Sequence, residues 1–209
     1  MTAFFNFSEF NMMTVLAMVI AYLLGSISPA IIAGKLHGKD IRKEGSGNAG
    51  TTNVLRVLGG KAALATLAAD IGKGVLAVLI GGALGGDAAA YLSALCVFLG
   101  HIFPVYYGFK GGKGVASAFG AVLAVDWRIA LLCLLVVAIV TLISKRMSAG
   151  SLCGAVSLPV LSAVMRPEFL ITGAVMGIII VIKHRANIRR LINGEEPEVG
   201  FLSRKDRKQ

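Results

Sequence analysis

The stretch that decides the fold runs from residue 62 to residue 107 and reads AALATLAADIGKGVLAVLIGGALG (62–85), Gly86-Asp87 and AAAYLSALCVFLGHIFPVYY (88–107). Each apolar run has the length, about 20 residues, that an α-helix needs to cross the hydrocarbon core of a bilayer. Of the 209 residues in the chain, 56% are hydrophobic and only 15% are charged, and the mean hydropathy is +0.78. Because these values exclude an ordinary soluble domain, the sequence predicts an all-α integral membrane protein.

Polar loops divide the chain into apolar runs that predict about seven transmembrane helices, some of them short. The runs are residues 12–34, 62–85, 88–107, 115–125, 129–143, 151–165 and 169–182. Only the first three approach spanning length, so we expect the later runs to extend into their flanks, to be half-helices or to lie in thinned bilayer. Residues 1–209 are expected to form a single polytopic domain, with residues 194–209 as a charged cytoplasmic tail.

Positive charge is concentrated on one side of this predicted topology. The loops on one face hold 18 of the 21 Lys and Arg residues, whereas Arg128 and Arg166 lie on the other face and Lys73 lies inside the second run. Because cytoplasmic loops carry an excess of Lys and Arg, the N-terminus is predicted outside and the C-terminus in the cytoplasm. Topology and anionic lipid account for the net charge of +10, and no nucleic acid is expected as a partner.

Two glycine-rich loops fall on the predicted cytoplasmic face. The first reads GSGNAGTTN (residues 45–53) and the second reads GFKGGKG (residues 108–114). Glycine lets backbone N–H groups turn toward a bound anion, and neighbouring Lys and Arg neutralise its charge. The second loop also opens the run 115–125, whose helix N-terminus would add partial positive charge. The loops together predict a phosphate site at the membrane surface.

Neither loop is a nucleotide-binding motif. Gly45, Gly47 and Gly50 have the spacing of the dinucleotide fingerprint, but no buried strand precedes them. The second loop lacks the spacing of a P-loop, and Gly114 stands where Ser or Thr is needed. An ordinary interhelical turn, with lysines that follow the positive-inside rule, is the alternative interpretation.

Polar residues at or within the apolar runs are further candidates. Asp70 and Lys73 share one helix face. An ion pair inside a membrane is costly, and both structural pairing and a substrate-facing role are open. His101 by itself is more typical of a packed or hydrogen-bonded histidine than of a catalyst. His184 and Asn187 are three residues apart at the end of the last run, where a solvated helix end is the alternative to a functional pair.

Motifs of other enzyme classes are missing from the sequence. None of the three histidines is followed by Asp at the spacing of the His-x-x-x-x-Asp acyltransferase motif, and there is no His-Glu-x-x-His sequence. Cys96, Cys133 and Cys153 lie within apolar runs at no metal-like spacing, so they are expected to be small buried residues. No metal site, disulfide or cofactor is predicted.

Taken in order from about residue 20 to residue 196, the polar segments resemble the bacterial acyl-phosphate:glycerol-3-phosphate acyltransferases of the PlsY type. The segments that carry the resemblance are Gly25-Ser26-Ile27, Asp40-Ile41-Arg42, Gly45-Ser46-Gly47-Asn48, Thr52-Asn53 with Arg56, Gly100-His101, Phe103-Pro104, residues 109–116, Lys183-His184-Arg185 and Asn187-Ile188. The resemblance implies transfer of the acyl group of a long-chain acyl phosphate to the 1-hydroxyl of glycerol 3-phosphate. The products would be lysophosphatidic acid and phosphate, in the first acylation step of phospholipid synthesis, and no cofactor would take part.

The same resemblance implies a place in the cell and roles for individual residues. We expect the protein in the bacterial cytoplasmic (inner) membrane, with its active site on the cytoplasmic side and a transient contact with the soluble enzyme that makes acyl phosphate. His184, Asn187 and Lys113 are expected to be catalytic. The residues expected to bind substrate, including the amides of two glycines, are Ser46, Asn48, Thr52, Arg56, Gly111, Gly112, Ser148 and Ser151. Because an acyl phosphate is already activated, positioning and electrostatics would supply most of the catalysis, and either His184 or a substrate phosphate oxygen would accept the hydroxyl proton.

A membrane transporter of anions or phosphate esters is the alternative function. Broken helices with glycine-rich N-termini also build transport sites. Against this reading, the two glycine loops are not copies of each other, and the sequence shows no inverted repeat. The predicted outer loops carry Asp87, Asp126 and Glu168, which are unsuited to attracting anions. These features favour the enzyme.

Overall fold

The computed structural model describes residues 11–199, and over this range every regular element is helical. The helices are α1 Met12–Ser26, α2 Pro29–Leu36, α3 Thr51–Leu58, α4 Gly60–Ile102, α5 Val115–Val125, α6 Trp127–Ser144, α7 Met147–Met165, α8 Leu170–Lys183 and α9 Arg185–Ile192. Short 3₁₀ turns lie at Val105–Tyr107 and Pro167–Phe169. The chain forms two compact units, the first ending at Trp127 and the second beginning at Arg128.

Helix α4 is a hairpin of two helical arms rather than one rod. As a straight helix its 43 residues would extend about 65 Å, roughly twice the thickness of the hydrocarbon core. The backbone leaves helical geometry at Gly85 and at Gly86, whose φ of +72° lies in the left-handed region that glycine tolerates. The arms then run back along each other, because His101 Nδ1 lies 3.1 Å from Asp70 Oδ1. The reversal falls between the second and third predicted apolar runs.

The helices of the first unit pack closely where they cross at glycine residues. A Cβ added to Gly100 would lie 2.9 Å from the Ser26 backbone nitrogen, where the second arm of α4 crosses α1. A Cβ added to Gly74 would lie 2.8 Å from the Ala121 backbone nitrogen, where the first arm crosses α5. Lipid tails are as apolar as the side chains, so membrane helices associate largely through such close backbone packing. Larger residues at these two positions would separate the helices.

A small apolar core lies beneath the first glycine loop. Ile41 is 1% exposed and Val54 is fully buried, and they pack with buried residues of the neighbouring helices, Ala30, Ile31, Ala49 and Ala63. Burial of this apolar surface fixes the loop from below. The polar residues of the loop are therefore carried on an ordered base.

The second unit is built around α7 and α8. A Cβ on Gly177 of α8 would lie 2.5 Å from the carbonyl oxygen of Ala155 on α7, so these helices also touch backbone to backbone. Helices α8 and α9 meet at an angle of 57°. The start of the predicted tail is ordered, because Val199 N donates to Lys145 O at 2.9 Å. The rest of that tail, residues 200–209, lies outside the described residues.

By length and hydropathy, fewer helical stretches qualify as membrane spans than the seven runs that the sequence predicts. Four stretches qualify in the described part of the chain, or five if the bent pair α8–α9 counts as one span: the four are Met12–Leu36, Gly60–Tyr107, Trp127–Ser144 and Met147–Met165. The apolar helix α5 is shorter than a full span. The prediction of an all-helical fold is confirmed. Seven separate spans are not resolved by this measure, since two predicted runs form the continuous stretch that contains α4.

Candidate functional site

Asn53 organises the first glycine loop from inside. Its side chain is buried (1% exposed). Asn53 Oδ1 accepts a hydrogen bond from Ser46 N at 2.8 Å, and Nδ2 donates to Ile41 O at 2.9 Å and to Glu44 O at 3.0 Å. One amide side chain thus satisfies one main-chain group of the loop and two of the segment that precedes it. This role had no signal in the sequence, because the partners of Asn53 are up to 12 positions away.

The predicted phosphate-binding residues of this loop differ in exposure. Ser46 and Arg56 are exposed, whereas Asn48 and Thr52 are half-buried. Thr52 lies in the first turn of α3, after the N-cap Gly50, and the N-terminus of a helix favours negative charge. The four side chains are therefore accessible, in full or in part, on an ordered loop and the helix that follows it.

Asp40 and Arg42 form an ion pair beside this loop. Arg42 Nε lies 3.1 Å from Asp40 Oδ1, and the backbone nitrogen of Arg42 donates to the same oxygen at 3.1 Å. The hydrogen bonds from the Arg42 side chain and backbone hold the pKa of the Asp40 carboxyl below its ordinary value of 3.8. The carboxylate of Asp40 thus offsets the positive charge of Arg42.

The second loop uses its glycine amides within the fold. Gly111 N donates to Ile102 O at 3.2 Å, and Gly112 N donates to His101 O at 3.2 Å. The expectation that these two amides bind phosphate is therefore corrected, since each already has a main-chain acceptor. Their role is in packing: a Cβ on Gly112 would lie 2.5 Å from Ala49 O, which leaves no room for a side chain.

The two glycine loops meet at this point. Ala49 belongs to the first loop and Gly112 to the second, and their backbones are in contact although they are distant in the sequence. Lys113, which is half-buried, follows directly. Gly114 then takes a φ of +84° and α5 begins. The expectation that both loops lie on the same side is confirmed within the first unit, and Lys113 stands next to their contact.

A buried ionic cluster lies beside the second loop. Lys73 Nζ is 2.8 Å from Asp70 Oδ1, and His101 Nδ1 is 3.1 Å from the same oxygen. Lys73 Nζ also donates to the carbonyls of Gly25 at 3.0 Å and Ile27 at 2.7 Å, at the end of α1. Of the two readings that the sequence left open for Asp70 and Lys73, the structure shows direct pairing. The participation of His101, 31 residues from Asp70, had no sequence signal.

In the second unit, His184 joins α8 to α9 and is 3% exposed. Its Nδ1 lies 2.8 Å from Ile180 O. A carbonyl oxygen only accepts, so Nδ1 carries a proton, and in the neutral ring the lone pair is assigned to Nε2. The fold thus selects the tautomer in which Nε2 acts as an acceptor.

Asn187 is held by a carboxylate that the site prediction omitted. Asn187 Nδ2 donates to Glu196 Oε1 at 2.6 Å, and Arg190 Nε donates to Glu196 Oε2 at 2.7 Å. Burial raises the pKa of Glu196, but hydrogen bonding with Asn187, Ser148 and Arg190 more than offsets this, and the net pKa is below its ordinary value. The only sequence signal was the acidic pair Glu195-Glu196 after the basic helix α9.

The two predicted serines lie in the first turns of α7 and both are buried. Ser151 Oγ donates to Met147 O at 2.9 Å. The Ser148 hydroxyl is close enough to Glu196 to lower the pKa of that carboxyl, although it makes no hydrogen bond of standard geometry with any residue in the described range. Ser148 thus joins the group around Glu196, whereas the donor of Ser151 is satisfied within its own helix.

Replacing Glu196 by glutamine is expected to lower the stability of the protein at neutral pH. An ionised acceptor with two hydrogen-bonded donors becomes a neutral amide, at a cost of about 1.5–3 kcal/mol. Because the folded pKa is lowered, the contribution of the carboxylate is present above pH 4.5, its ordinary value, and is lost as the pH falls through the folded pKa. The check is the thermal unfolding midpoint of wild type and Glu196→Gln at neutral pH and at several values below 4.5.

The neighbouring Glu195 provides the control, because its side chain is exposed. Glu195→Gln should unfold close to the wild-type midpoint at every pH. The difference in unfolding midpoint between Glu196→Gln and wild type should become smaller at acid pH, since the wild-type carboxyl is then protonated and also neutral. A midpoint difference that stays constant until the Glu196 carboxyl is fully protonated would contradict an ionised Glu196 at neutral pH.

Comparison with known proteins gives consistent similarities. Residues 15–194 match the family model described as "Glycerol-3-phosphate acyltransferase". The chain is 45% identical over 190 residues to the glycerol-3-phosphate acyltransferase of Clostridioides difficile, covering 87% of this chain and 93% of the relative. It is 43% identical over 194 residues to the protein of that name from Cereibacter sphaeroides, covering 92% of each chain.

Two solved structures are similar over nearly the whole chain. Both are crystal structures of PlsY, an integral membrane glycerol 3-phosphate acyltransferase. The glycerol 3-phosphate form has a TM-score of 0.87 at 37% identity and covers 94% of this chain and 99% of that one. The lysophosphatidic acid form has a TM-score of 0.84 at 37% identity and covers 90% and 96%.

Proposed function

Because the chain belongs to the glycerol-3-phosphate acyltransferase family, we propose that it transfers the acyl group of a long-chain acyl phosphate to the 1-hydroxyl of glycerol 3-phosphate. The products are lysophosphatidic acid and inorganic phosphate. The observation that carries the proposal is the contact between the two glycine loops at Ala49 and Gly112, with Lys113 next to it. Two substrates that each bear a phosphate fit two adjoining polar loops, one of which leads directly to a lysine.

The reaction is a single acyl transfer. The oxygen of the 1-hydroxyl attacks the acyl carbonyl carbon, a new ester C–O bond forms, and the bond from the acyl carbon to the phosphate oxygen breaks. Phosphate leaves with the electron pair of that bond. The leaving group is already activated, so the protein contributes mainly through orientation and stabilisation of negative charge.

The phosphates are held, on this proposal, by the first loop and by Lys113. Ser46 and Thr52 offer hydroxyl donors, and Arg56 and Lys113 offer positive charge. Asn48 is a further amide donor on the first loop. Charge-assisted hydrogen bonds to phosphate are stronger than neutral ones, so the two cations are expected to contribute most. Gly111 and Gly112 give the second loop its shape and do not need to donate to the substrate.

His184 and Asn187 position the acceptor hydroxyl and the oxyanion that develops on the acyl carbonyl. The lone pair assigned to His184 Nε2 fits a partner that accepts a hydrogen bond from the hydroxyl. The proton passes either to His184 or to a phosphate oxygen of the bound substrates. Ser148 lies with Asn187 around Glu196, and we place both on the acceptor side. Ser151 acts through its hydroxyl oxygen, which can still accept a hydrogen bond.

We further propose seven membrane crossings, with the N-terminus outside and the active site on the cytoplasmic side of the bacterial inner membrane. The hairpin of α4 supports two crossings, and α1 with α2, α5, α6, α7 and α8 account for the others. Helix α5 has 11 residues and a length of about 16 Å, so it is a partial crossing. The acyl chain of the donor lies against apolar helices, where burial contributes about 0.8 kcal/mol per methylene.

The test of the function is acyl transfer by the purified protein reconstituted in lipid. Glycerol 3-phosphate is offered with palmitoyl phosphate, palmitoyl-coenzyme A or palmitoyl-acyl carrier protein in parallel, and lysophosphatidic acid is measured. We expect product only from palmitoyl phosphate. Product from either thioester would overturn the proposed donor. No product from any donor, in protein shown to be folded, would favour an anion transporter. A transient contact with the soluble enzyme that makes acyl phosphate remains a prediction.

A further inference from the structure

The buried ionic cluster of Asp70, Lys73 and His101 has no part in the proposed chemistry. Asp70 is 1% exposed, His101 5% and Lys73 8%. Burying charged groups inside a membrane protein is costly unless each is paired and hydrogen-bonded. The cluster joins both arms of α4, and its bonds reach the end of α1 and the second glycine loop. The segments that the cluster contacts therefore indicate which parts of the protein it holds in place.

The hydrogen-bond partners of Lys73 and Asp70 fix the geometry of the cluster. The ammonium of Lys73 has three N–H groups. Three oxygens and one ring nitrogen lie within reach: Gly25 O at 3.0 Å, Ile27 O at 2.7 Å, Asp70 Oδ1 at 2.8 Å and His101 Nδ1 at 3.1 Å. His101 Nδ1 lies 3.1 Å from both Asp70 Oδ1 and Lys73 Nζ, so these two groups hold the same edge of the imidazole whether Nδ1 donates to the carboxylate or accepts from the ammonium. Asp70 thus contacts the Nδ1 edge of the imidazole, and Nε2 lies on the opposite edge.

The opposite edge of the ring faces the second loop. A Cβ on Gly112 would collide with His101 Nε2. The main chain of the same histidine also binds the loop, since Gly112 N donates to His101 O at 3.2 Å. His101 therefore holds Gly112 through its side chain and through its carbonyl. Gly112 in turn touches Ala49 of the first loop and precedes Lys113.

We propose that Asp70, Lys73 and His101 are positioning residues that fix the second glycine loop, so that the amino group of Lys113 meets a substrate phosphate at the correct place. This inference rests on the proposed function, because it takes Lys113 as a phosphate ligand. Asp70 orients the ring, Lys73 anchors Asp70 to the end of α1, and the ring supports Gly112. None of the three needs to touch substrate. A displacement of a binding group by about 1 Å can cost on the order of 100-fold in rate.

The decisive variant is His101→Asn. Asparagine retains an N–H that can donate to Asp70, but it removes the ring atom that lies against Gly112. Lys113→Ala first identifies which of the two phosphate substrates shows the raised KM. His101→Asn is expected to raise the KM of that same substrate about tenfold, with a smaller change in kcat and an unchanged shape of the pH profile. The double variant His101→Asn with Lys113→Ala should be no worse than Lys113→Ala alone, because both act on one contact.

His37 provides the matched control, since it is an exposed histidine that caps α2 and whose Nδ1 bonds to Ala33 O of that helix at 2.8 Å. His37→Asn should keep wild-type kinetics. Three results for His101→Asn would overturn the proposal. These are an unchanged KM with an unchanged unfolding midpoint, an unchanged KM with a lower unfolding midpoint, and loss of kcat together with one limb of the pH profile. The last would make His101 a proton-transfer residue.

Failure of the proposed function can be told apart from failure of the inference. If wild type gives no product from palmitoyl phosphate, the proposed donor is wrong. Calorimetric binding of glycerol 3-phosphate to wild type, Lys113→Ala and His101→Asn then still tests the loop. A Kd weakened by both substitutions supports positioning, and a Kd weakened only by Lys113→Ala overturns it. Asp70→Gln is a second variant, and it should raise the Kd of glycerol 3-phosphate as His101→Asn does.

Discussion

Replacing Lys113 by alanine is expected to reduce kcat/KM by about 10²–10³-fold, the range seen when one donor that stabilises transition-state charge is removed. Lys113 follows the contact between the two glycine loops and is half-buried. Its ammonium there would neutralise a phosphate as that group leaves water. The measurement is the initial rate of lysophosphatidic acid formation, with each phosphate substrate varied in turn.

Two further variants test whether the effect is specific to the ammonium group of Lys113. Lys113→Arg should restore only part of the activity, because the planar guanidinium fork differs from a compact ammonium. Lys110 lies in the same loop but is exposed, so Lys110→Ala should stay close to wild type. Near-full activity in Lys113→Ala would sink the idea that this lysine binds a substrate phosphate.

Replacing His184 by alanine is expected to reduce kcat/KM by at least about 10²-fold, the lower end for loss of a positioned acid or base. His184 is buried, and Ile180 O holds the proton on Nδ1, so the substitution removes an oriented Nε2 acceptor. The kinetic parameter that changes identifies the role. Loss of kcat with a changed pH profile would assign the proton to His184, and a mainly raised KM for glycerol 3-phosphate would assign positioning.

His184→Asn separates the ring from the bond that orients it. Asparagine retains an N–H for Ile180 O but has no atom in the place of Nε2. It should therefore be as impaired as His184→Ala if Nε2 is the active group. Wild-type activity in His184→Asn would exclude a role for Nε2 and leave a substrate phosphate as the proton acceptor. An unchanged unfolding midpoint would show that the loss is catalytic.

The sequence was most informative where a property depends on neighbouring residues. The start of α5 at Val115 and its end at Val125 match the predicted apolar run. The spacing of three predicted that Asp70 and Lys73 share one helix face, and the structure decided in favour of their pairing, at 2.8 Å. The common side of the two glycine loops followed from the two apolar runs that separate them in the sequence, with the charge of the loops as support, and it appears in the contact of Ala49 with Gly112.

The candidate site was less predictable where a group could choose among distant partners. The amides of Gly111 and Gly112 looked available for an anion, but the carbonyls of the preceding helix end accept them. The glycine content of the second loop shows that its backbone can bend. It does not show which carbonyl oxygen comes within hydrogen-bond distance of each amide. For the same reason the carboxylate of Glu196, which holds Asn187 at 2.6 Å, was missing from the predicted site.

The sequence by itself determined that this chain is a helical membrane protein with phosphate-suited loops, because hydropathy, charge and glycine content act residue by residue against the bilayer and water. Only the tertiary structure decided that Asp70 meets His101, that His101 supports Gly112, and that Asn53 shapes the first loop. Each of these depends on the reversal of α4 at Gly86 or on the folding of a loop over its core. Hydrogen bonds act within about 3 Å, so their partners exist only after the folded backbone has brought remote residues together.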